Sequence, residues 1–391
     1  MATVPTGERA ITLFLCGDVM IGRGIDQVLP WPGDLALYEP GADSAGDYVR
    51  LAEAAAGPIP RPVGPGYIWG DALVELHDRA PDVRIINLET ALTWRGAPWS
   101  GKAIHYRATP ANAAALAVAG VDCCAVANNH VLDWGYVGLV DTLGTLASLG
   151  IAAVGAGTDI LQAQAPATVS APAGNVHVFA YATESAGVPA SWAATPTRPG
   201  VNLLRDLSPA TADEIAAAVR RAKRPGDLVA VSVHWGGNWG YDVPDAHVAF
   251  AHALIDRAGV DVVHGHSSHH AKAIEVYRGR LVLYGAGDFI DDYEGIRGHQ
   301  EFRPDLALMY FCAVDPDDDR LIGLCMVPMQ RERFRLQRAT DADALWLRAM
   351  LTREGARFGS AAHLDAAGDL VPSWTGMPQA PTLAGEHGAQ P

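Results

Sequence analysis

Five short apolar runs in this chain each end in polar side chains, and this pattern constrains the fold more than any other feature. The runs span residues 11–17, 83–86, 121–127, 228–233 and 260–263. Their length and their β-branched residues predict buried strands. The polar residues that follow them are Asp18; Asn87 and Glu89; Asn128, Asn129 and His130; His234; and His264 and His266. Because ligands bind outside the carboxyl ends of the strands in an α/β sheet, we expect these side chains to form one site.

Helical segments alternate with these strands at residues 109–120, 138–149, 209–223 and 244–258. This alternation predicts an α/β fold, with parallel central strands and helices on both faces of the sheet. After residue 266 the pattern changes to paired strands at 274–277 with 280–284, and at 307–314 with 321–326. These antiparallel pairs predict a second sheet or a sheet half, in a domain of two packed sheets.

A single domain is predicted over residues 11–360, after a lead-in at residues 1–10. Residues 30–70 are rich in Pro, Gly and acidic side chains and predict a long irregular insertion, a kind of segment that often forms a lid or a binding loop. Residues 361–391 are predicted to form a disordered tail.

Composition excludes several classes of function. The net charge is −15 and the sequence pI is about 5.3, so the basic footprint of a nucleic-acid-binding protein is missing. The five cysteines have no CxxC spacing and lie in apolar runs, which predicts buried free thiols in a reducing compartment. No apolar run reaches the roughly 18 residues that a membrane span needs. We therefore expect a cytoplasmic protein without a membrane anchor, and the oligomeric state stays open.

The strand-end residues predict a metal site. Carboxylate, amide and imidazole ligands suit one or two divalent ions of Mn, Fe, Zn or Ca. Two such ions about 3.5–4 Å apart can stabilise both the attacking and the leaving oxygen of a displacement reaction. His130 is a candidate general acid, and Asp133 could orient it. The candidate metal ligands are Asp18, Glu89, Asn129, His234, His266 and His269.

A second polar cluster lies between residues 288 and 303, and it is either a solvated loop or a wall that faces a substrate. In the second case His299 is a candidate acid/base residue, and Arg297 or Arg303 could bind a carboxylate through two hydrogen bonds. Trp235 either lines a cleft for a peptide or aromatic group or packs in the core.

The ordered motifs resemble those of the CapA/PgsA family, which is named for poly-γ-glutamate capsule synthesis. The resemblance covers roughly residues 10–330. It rests on Gly17-Asp18-Val19-Met20, Asn87-Leu88-Glu89, Asn128-Asn129-His130 with Asp133 and Gly135, His234-Trp235-Gly236, Gly265-His266 through His269, and Leu283-Tyr284-Gly285 with Gly287-Asp288-Phe289.

The resemblance implies the fold of the calcineurin-like metallophosphatases, a two-sheet α/β/β/α sandwich with a dinuclear metal site. It implies that Asp18 binds one metal and that Glu89 bridges both. It implies that Asn129 and His234 bind the second metal, that His266 and His269 complete the site, and that His130 is the catalytic histidine.

Three departures from the metallophosphatase pattern bear on function. The opening Asp-x-His motif is here Asp18-Val19-Met20, so one histidine ligand is replaced. The closing His-x-His motif is here His266 and His269 separated by two serines, with His264 and His270 as further candidates. The membrane anchor that is typical of capsule proteins is also not found in this sequence.

Three functions follow as alternatives. The first is metal-dependent hydrolysis of a phosphoester or a peptide-like substrate such as a γ-glutamyl amide. The second is peptide epimerisation, which some relatives carry out in lasso-peptide biosynthesis. It would invert an α-carbon by proton transfer between two groups, for which Asp18 and His299 are a candidate pair. The third is a non-catalytic role in poly-γ-glutamate assembly.

Overall fold

The computed structural model describes residues 9–375. The strands are β1 (Ile11–Val19), β2 (Ala36–Glu39), β3 (Ala42–Ser44), β4 (Val83–Leu88), β5 (Ala91–Leu92), β6 (Arg107–Ala108), β7 (Cys123–Ala125), β8 (Ala152–Val154), β9 (Ala156–Gly157), β10 (Ala167–Ala171), β11 (Gly174–Ala182), β12 (Gly200–Val201), β13 (Leu228–His234), β14 (Val262–His266), β15 (Ile274–Tyr277), β16 (Arg280–Leu283), β17 (Asp288–Ile290), β18 (Leu306–Asp315), β19 (Arg320–Glu332), β20 (Arg335–Arg338), β21 (Ser360–Leu364) and β22 (Leu370–Trp374).

The α-helices are α1 (Arg23–Val28), α2 (Ala45–Ala56), α3 (Ala72–Arg79), α4 (Ala114–Val118), α5 (Gly135–Ser148), α6 (Ile160–Gln164), α7 (Pro209–Ala222), α8 (Asp245–Ala258) and α9 (Asp341–Gly355). Among these elements of residues 9–375, no helix has both the length and the apolar character required to cross a bilayer.

Two mixed sheets form the centre of the fold. The larger sheet has the order β21-β22-β19-β18-β1-β4-β7-β8, with β17 paired to β1 and β20 paired to β19. In it β1, β4, β7 and β8 run parallel. The smaller sheet has the order β10-β11-β13-β14-β16-β15, in which β11, β13, β14 and β16 run parallel. Both sheets therefore carry parallel strands whose carboxyl ends can hold polar residues.

The sheets and helices stack in four layers, which confirms the predicted α/β/β/α sandwich. Strand β13 shows how the layers form, because successive side chains of a strand point to opposite faces. Leu228 and Ala230 belong to the core between the sheets, whereas Val229, Val231 and Val233 pack in a second core with α7 and α8. Each such fully buried side chain contributes about 1.5–3 kcal/mol to folding.

The antiparallel strands form parts of both sheets rather than a sheet of their own, so of the two alternatives for the chain after residue 266 the sheet half is the one observed. The hairpin of β15 and β16 extends the smaller sheet, and the pair of β18 and β19 extends the larger one. The parallel strands are divided between the two sheets instead. In the smaller sheet β10 and β15 cover both edges of the parallel group, and in the larger sheet β18 covers one edge, so these edges do not expose unpaired backbone groups.

Two features predicted from the sequence were wrong, the irregular insertion at residues 30–70 and the start of the tail at residue 361. Residues 30–70 are not irregular throughout, because α2 lies within them; the side chain of Ser44 caps this helix, and Tyr48, Val49 and Ala52 form its buried face. The predicted tail does not begin at residue 361, because β21 and β22 form a hairpin that pairs with β19. Residues 376–391 of that tail, and 1–8 of the lead-in, lie outside the described residues.

We predict that Gly17→Ala is severely destabilising because β1 and β17 approach closely at this position. A Cβ at Gly17 would lie 1.6 Å from the backbone oxygen of Gly287, a contact that only a backbone shift can relieve. Overpacking of this kind costs about 1–3 kcal/mol and sometimes more. The control is Gly144→Ala in the exposed part of α5, where a Cβ meets nothing within 4 Å. It should stabilise the protein by about 0.5–1 kcal/mol. Urea unfolding measures both changes, and an unaltered Gly17→Ala protein would contradict the close approach.

Candidate metal centre

Parallel pairing brings the predicted strand ends together in register. Asp18 in β1 lies opposite Asn87 in β4 and opposite Asp288 in β17. In the smaller sheet His234 of β13 lies opposite His266 of β14. Because the two sheets pack face to face, carboxylates from one sheet and imidazoles from the other meet at a single edge of the sandwich.

Amide side chains hold the carboxylates in place. Nδ2 of Asn87 donates hydrogen bonds to Oδ1 of Asp18 at 2.7 Å and to Oε2 of Glu89 at 3.1 Å. Nδ2 of Asn128 in turn donates to Oδ1 of Asn87 at 3.1 Å. Asp18, Asn87, Glu89 and Asn128 are all buried. These hydrogen bonds fix the direction of both carboxylates but leave other oxygen lone pairs available to a further ligand.

The histidines of the smaller sheet face these carboxylates. Nε2 of His234 lies 3.0 Å from Oδ1 of Asn129 and 3.9 Å from Oε1 of Glu89. Nδ1 of His234 lies 2.7 Å from Nδ1 of His266, which is 3.9 Å from Oδ1 of Asp18. One ligand atom from each of Asp18, His234 and His266 falls within 4.8 Å of the others. The five side chains thus converge at the distances that ligands of bound cations have.

The pKa shifts of the residues in this cluster are those expected of a site that binds a cation. Burial, with the nearby Asp288, raises the pKa of Asp18 to about 7. Burial and the charge of Asp18 raise the pKa of Glu89 well above its ordinary value. Burial also lowers the pKa of His234 and of His266, so both imidazoles are neutral at neutral pH. Buried acids without a cation and neutral imidazoles are the donor set that a divalent metal ion satisfies, and the residues present therefore fit such an ion.

His130 lies next to this cluster and is held from two sides. Nδ1 of His130 is 2.6 Å from Oδ2 of Asp133, and its Nε2 is 3.8 Å from Oε1 of Glu89. The ring of Tyr106 stacks on the imidazole with 3.7 Å between centroids. Asp133 also accepts hydrogen bonds from the backbone N–H of Tyr106 at 2.7 Å and from Nζ of Lys102 at 2.5 Å. His130 is therefore oriented toward Glu89, as the predicted role of Asp133 requires.

Asp288 lies in the site, although it is not among the metal ligands predicted from the sequence. Its carboxylate lies 2.8 Å from Nδ1 of His269. Burial favours the neutral imidazole, but the charges of Asp288 and Asp18 outweigh burial and raise the pKa of His269. The structure thus pairs His269 with a carboxylate of this chain. The sequence signal that could have identified Asp288 is its place in the Gly287-Asp288-Phe289 motif.

Met20 occupies the position of the histidine in the Asp-x-His motif. The side chain is buried, and its sulfur accepts a hydrogen bond from the backbone N–H of Gly22 at 3.2 Å. A thioether is a weak ligand for hard divalent cations. The Asp18 side of the centre therefore has one imidazole ligand fewer than the resemblance implies for a dinuclear site.

The structure separates two of the predicted substrate-binding residues from the site. Trp235 is buried in the second core, donates a hydrogen bond to the backbone oxygen of Tyr284 and stacks on His247, so it does not line a cleft. Arg303 forms salt bridges with Asp305 and Asp343, which occupy its guanidinium.

Arg297 and His299 lie on the exposed loop between β17 and β18. His299 stacks on Trp239 with 4.0 Å between ring centroids, and Trp239 lies 5.2 Å from the ring of His269. The ring of Trp239 therefore contacts both His299 and His269, and His299 itself does not contact the centre within the described residues. Arg297 is exposed.

Comparison with known proteins supports the resemblance. A family model described as bacterial capsule synthesis protein PGA_cap matches residues 12–293, a range that contains every residue of the centre described above. The chain belongs to the PGA_cap family. This PGA_cap protein is 51% identical over 351 residues to a probable polyglutamine synthesis accessory protein of Mycobacterium tuberculosis, which covers 89% of this chain and 92% of that protein.

More distant relatives of the PGA_cap protein carry capsule names. It is 28% identical to the PGA biosynthesis protein CapA of Bacillus subtilis, over 73% of this chain and 64% of that protein. A phosphatase of known structure from Mycoplasma pneumoniae is 12% identical, with a TM-score of 0.45 over 83% of this chain and 96% of its own. That likeness is too low to support a conclusion about activity. The predicted CapA-type family is thus confirmed by sequence.

We predict a pH-dependent difference between the metal-free wild-type protein and Asp18→Asn. A carboxyl group whose pKa is raised in the folded state contributes stability below its unfolded pKa of about 4, and this contribution is lost as the pH rises through about 7. With chelator present, wild type should therefore lose stability relative to Asp18→Asn between pH 5 and pH 8. One pKa unit corresponds to about 1.4 kcal/mol, so the change should amount to a few kcal/mol. Urea unfolding at both pH values measures it, and parallel behaviour of the two proteins would contradict a buried, protonated Asp18.

Proposed function

We propose that this PGA_cap protein is a metal-dependent hydrolase that acts on a phosphoester or a peptide-like substrate. The observation that carries the proposal is the convergence of Glu89, Asn129 and His234, with Nε2 of His130 3.8 Å from Oε1 of Glu89. An oxygen and nitrogen donor set beside an oriented imidazole suits activation of water and proton transfer.

Glu89, Asn129, His234 and His266 would hold one divalent cation, and Asp18 with Glu89 would hold a second one. When bound, such cations lower the pKa of water and polarise the bond to be cleaved. Because Met20 replaces a histidine ligand, we expect the cation held by Asp18 to bind more weakly than the other one. Activity with one tightly bound ion is therefore consistent with the proposal.

His130 would carry the proton. Because Oδ2 of Asp133 accepts from Nδ1 of His130, Nε2 is the free nitrogen on the Glu89 side. Burial and the charge of Lys102 lower the pKa of His130, so Nε2 is unprotonated at neutral pH and can accept a proton before passing it to a leaving group. Asp133 stabilises the imidazolium that forms in between, with Lys102 holding Asp133 in place.

Epimerisation of a peptide-like substrate is a second candidate. The observation in its favour is that burial raises the pKa of Asp18 to about 7, so that Asp18 can both donate and accept a proton at neutral pH. The replacement of a histidine ligand by Met20 also favours a role other than metal binding for Asp18. His299, stacked on Trp239, would be the second acid/base group. A non-catalytic part in polyglutamate assembly, as the names of the relatives suggest, is the remaining alternative.

For the hydrolase, we predict that Glu89→Gln and His234→Ala each lower both metal content and hydrolysis. Removal of one ligand should cost at least about 100-fold, since even a partner of a ligand is worth about 10–100-fold. Elemental analysis after loading with Mn, Zn or Ca measures the metal content, and release of phosphate or of glutamyl amine measures the activity. The control is His363→Ala, which removes an exposed imidazole on β21. Full activity in both site variants would refute the metal-centred mechanism.

For the epimerase, we predict that Asp18→Asn and His299→Ala each stop exchange at a peptide α-carbon while the fold stays intact. Each variant lacks one of the two proton-transfer groups that inversion requires. Mass spectrometry of peptide incubated in heavy water measures the deuterium incorporated. Exchange that continues unchanged in both variants would remove this pair from consideration, and no exchange with wild type on any acidic peptide would favour hydrolysis.

A further inference from the structure

A cavity of about 150 Å³ lies beside the segment that supports His130. Its wall includes His105 and Arg107, whereas Tyr106 between them stacks on His130. In the same way Trp134 lines the cavity, whereas the neighbouring Asp133 bonds to His130. Successive side chains of an extended segment point to opposite sides. The cavity is therefore separate from the metal centre but shares a wall with it.

Arg107 is the group in this cavity that lacks an adequate partner. Its guanidinium lies 3.7 Å from the centroid of the Trp134 ring. The nearest carboxylate is that of Asp34, at 4.0 Å, and the side chain of Asp34 is 66% exposed. Within residues 9–375 the guanidinium of Arg107 makes no hydrogen bond. Burial lowers the pKa of Arg107 more than the nearby Asp34, Tyr38 and Asp26 raise it. A guanidinium has five N–H donors arranged to bind a carboxylate through two of them.

The buried charged groups of the cavity, Arg23 and Asp26, already have partners, whereas Asp34 is exposed. Arg23 is paired with Asp292 and Glu39. Asp26 accepts hydrogen bonds on both oxygens, from the backbone of Thr109 and the side chain of Asn112 on one and from the backbone of Gly33 on the other. Arg107 therefore supplies the one available positive charge among the described lining residues.

His105 adds a second, independent observation. It is buried, and its Nε2 lies 3.0 Å from the backbone oxygen of Trp99. Its Nδ1 has no hydrogen-bond partner among the described residues. A buried polar atom without a partner is rare, and it leaves an unmet hydrogen-bonding group on a residue of the cavity wall.

The mouth of the cavity is aromatic. Trp94 lines it with 60% of its surface exposed, and Tyr38, which is 56% exposed, contacts Trp134 edge to face at 6.1 Å. Exposed aromatic side chains beside a cationic group are suited to a chain that has both apolar and charged parts. One available positive charge, with Asp26 and Asp34 nearby, matches a singly charged group better than a doubly charged phosphate ester.

We propose that this cavity binds a carboxylate of a peptide-like chain through Arg107, with the carbon part of that chain against Trp94 and Tyr38. The site is distinct from the metal centre. It does not depend on the hydrolytic function, because binding can be measured without metal and without turnover.

Calorimetry with a tetraglutamate peptide, in the presence of chelator, tests the proposal. The wild-type protein should bind it, and Arg107→Gln should weaken binding at least about tenfold, since a hydrogen bond to a charged group is worth about 1.5–3 kcal/mol. Arg107→Lys should be intermediate because it keeps the charge but loses the planar pair of donors. The matched control is Arg95→Gln, which removes an exposed arginine of the same loop, paired with Asp141. It should bind as wild type does.

Two further measurements make the outcome decisive. A tetraglutamine peptide should bind at least about tenfold more weakly than tetraglutamate, because its neutral amides lose the charge-assisted hydrogen bonds. Inorganic phosphate should not compete with tetraglutamate; binding of phosphate alone, lost in Arg107→Gln, would overturn the carboxylate assignment. Equal affinity of wild type and Arg107→Gln for tetraglutamate would overturn the site itself.

Thermal unfolding and metal content unchanged in Arg107→Gln would show that any loss is local. If that variant is unfolded, Trp94→Ala at the exposed mouth must weaken binding instead.

Discussion

The burial of three carboxylates at one edge of the sandwich is the constraint on which the centre depends. The charge of Asp288 adds to the effect of burial in raising the pKa values of Asp18 and Glu89, and no arginine or lysine is bonded to any of these three side chains within residues 9–375. Protons, the imidazolium of His269 or a divalent cation must balance this charge. In the metal-free protein, protons and the imidazolium of His269 balance the charge. A divalent cation would also balance it, and the neutral imidazoles of His234 and His266 suit such an ion. Burial of carboxylates without a basic partner lowers the stability of the fold. Such an arrangement is typical of sites that bind a cation or transfer a proton.

The two-sheet architecture makes this cluster possible. Carboxylates come from β1, from β17 and from the residue that follows β4 in the larger sheet, and imidazoles come from β13 and β14 of the smaller one. A single sheet would place all of them in one row, whereas two packed sheets place them on facing sides of one pocket. The close approach of Gly17 to Gly287 brings β17 against β1, and it is this approach that adds Asp288 to the centre.

The sequence predicted most of this centre because strand ends can be recognised locally. Asp18, Glu89, Asn129, His234 and His266 each follow an apolar run, and parallel pairing then brings them together without further information. Asp288 was missed as a ligand because β17 has only three residues and no pattern of its own, and its partner β1 lies far away in sequence. The partners of Arg303 were missed, and the choice between a cleft and the core for Trp235 stayed open, for a related reason. Both depend on tertiary contacts, with Asp343 in α9 and His247 in α8, that no local pattern encodes. Helix α2 was missed because the Pro and Gly residues around it concealed its apolar period.

The segment from Trp99 to Arg107 connects the two sites of this protein. Lys102 and the backbone of Tyr106 both bond to Asp133, and Asp133 orients His130. His105 and Arg107 of the same segment face the cavity. Because Asp133 receives three donors at short distances, a displacement of this segment would change the position of His130 relative to Glu89. A chain held at Arg107 would thus be fixed to the same support that positions the proton-transferring imidazole, and binding in the cavity and chemistry at the centre would share one rigid element.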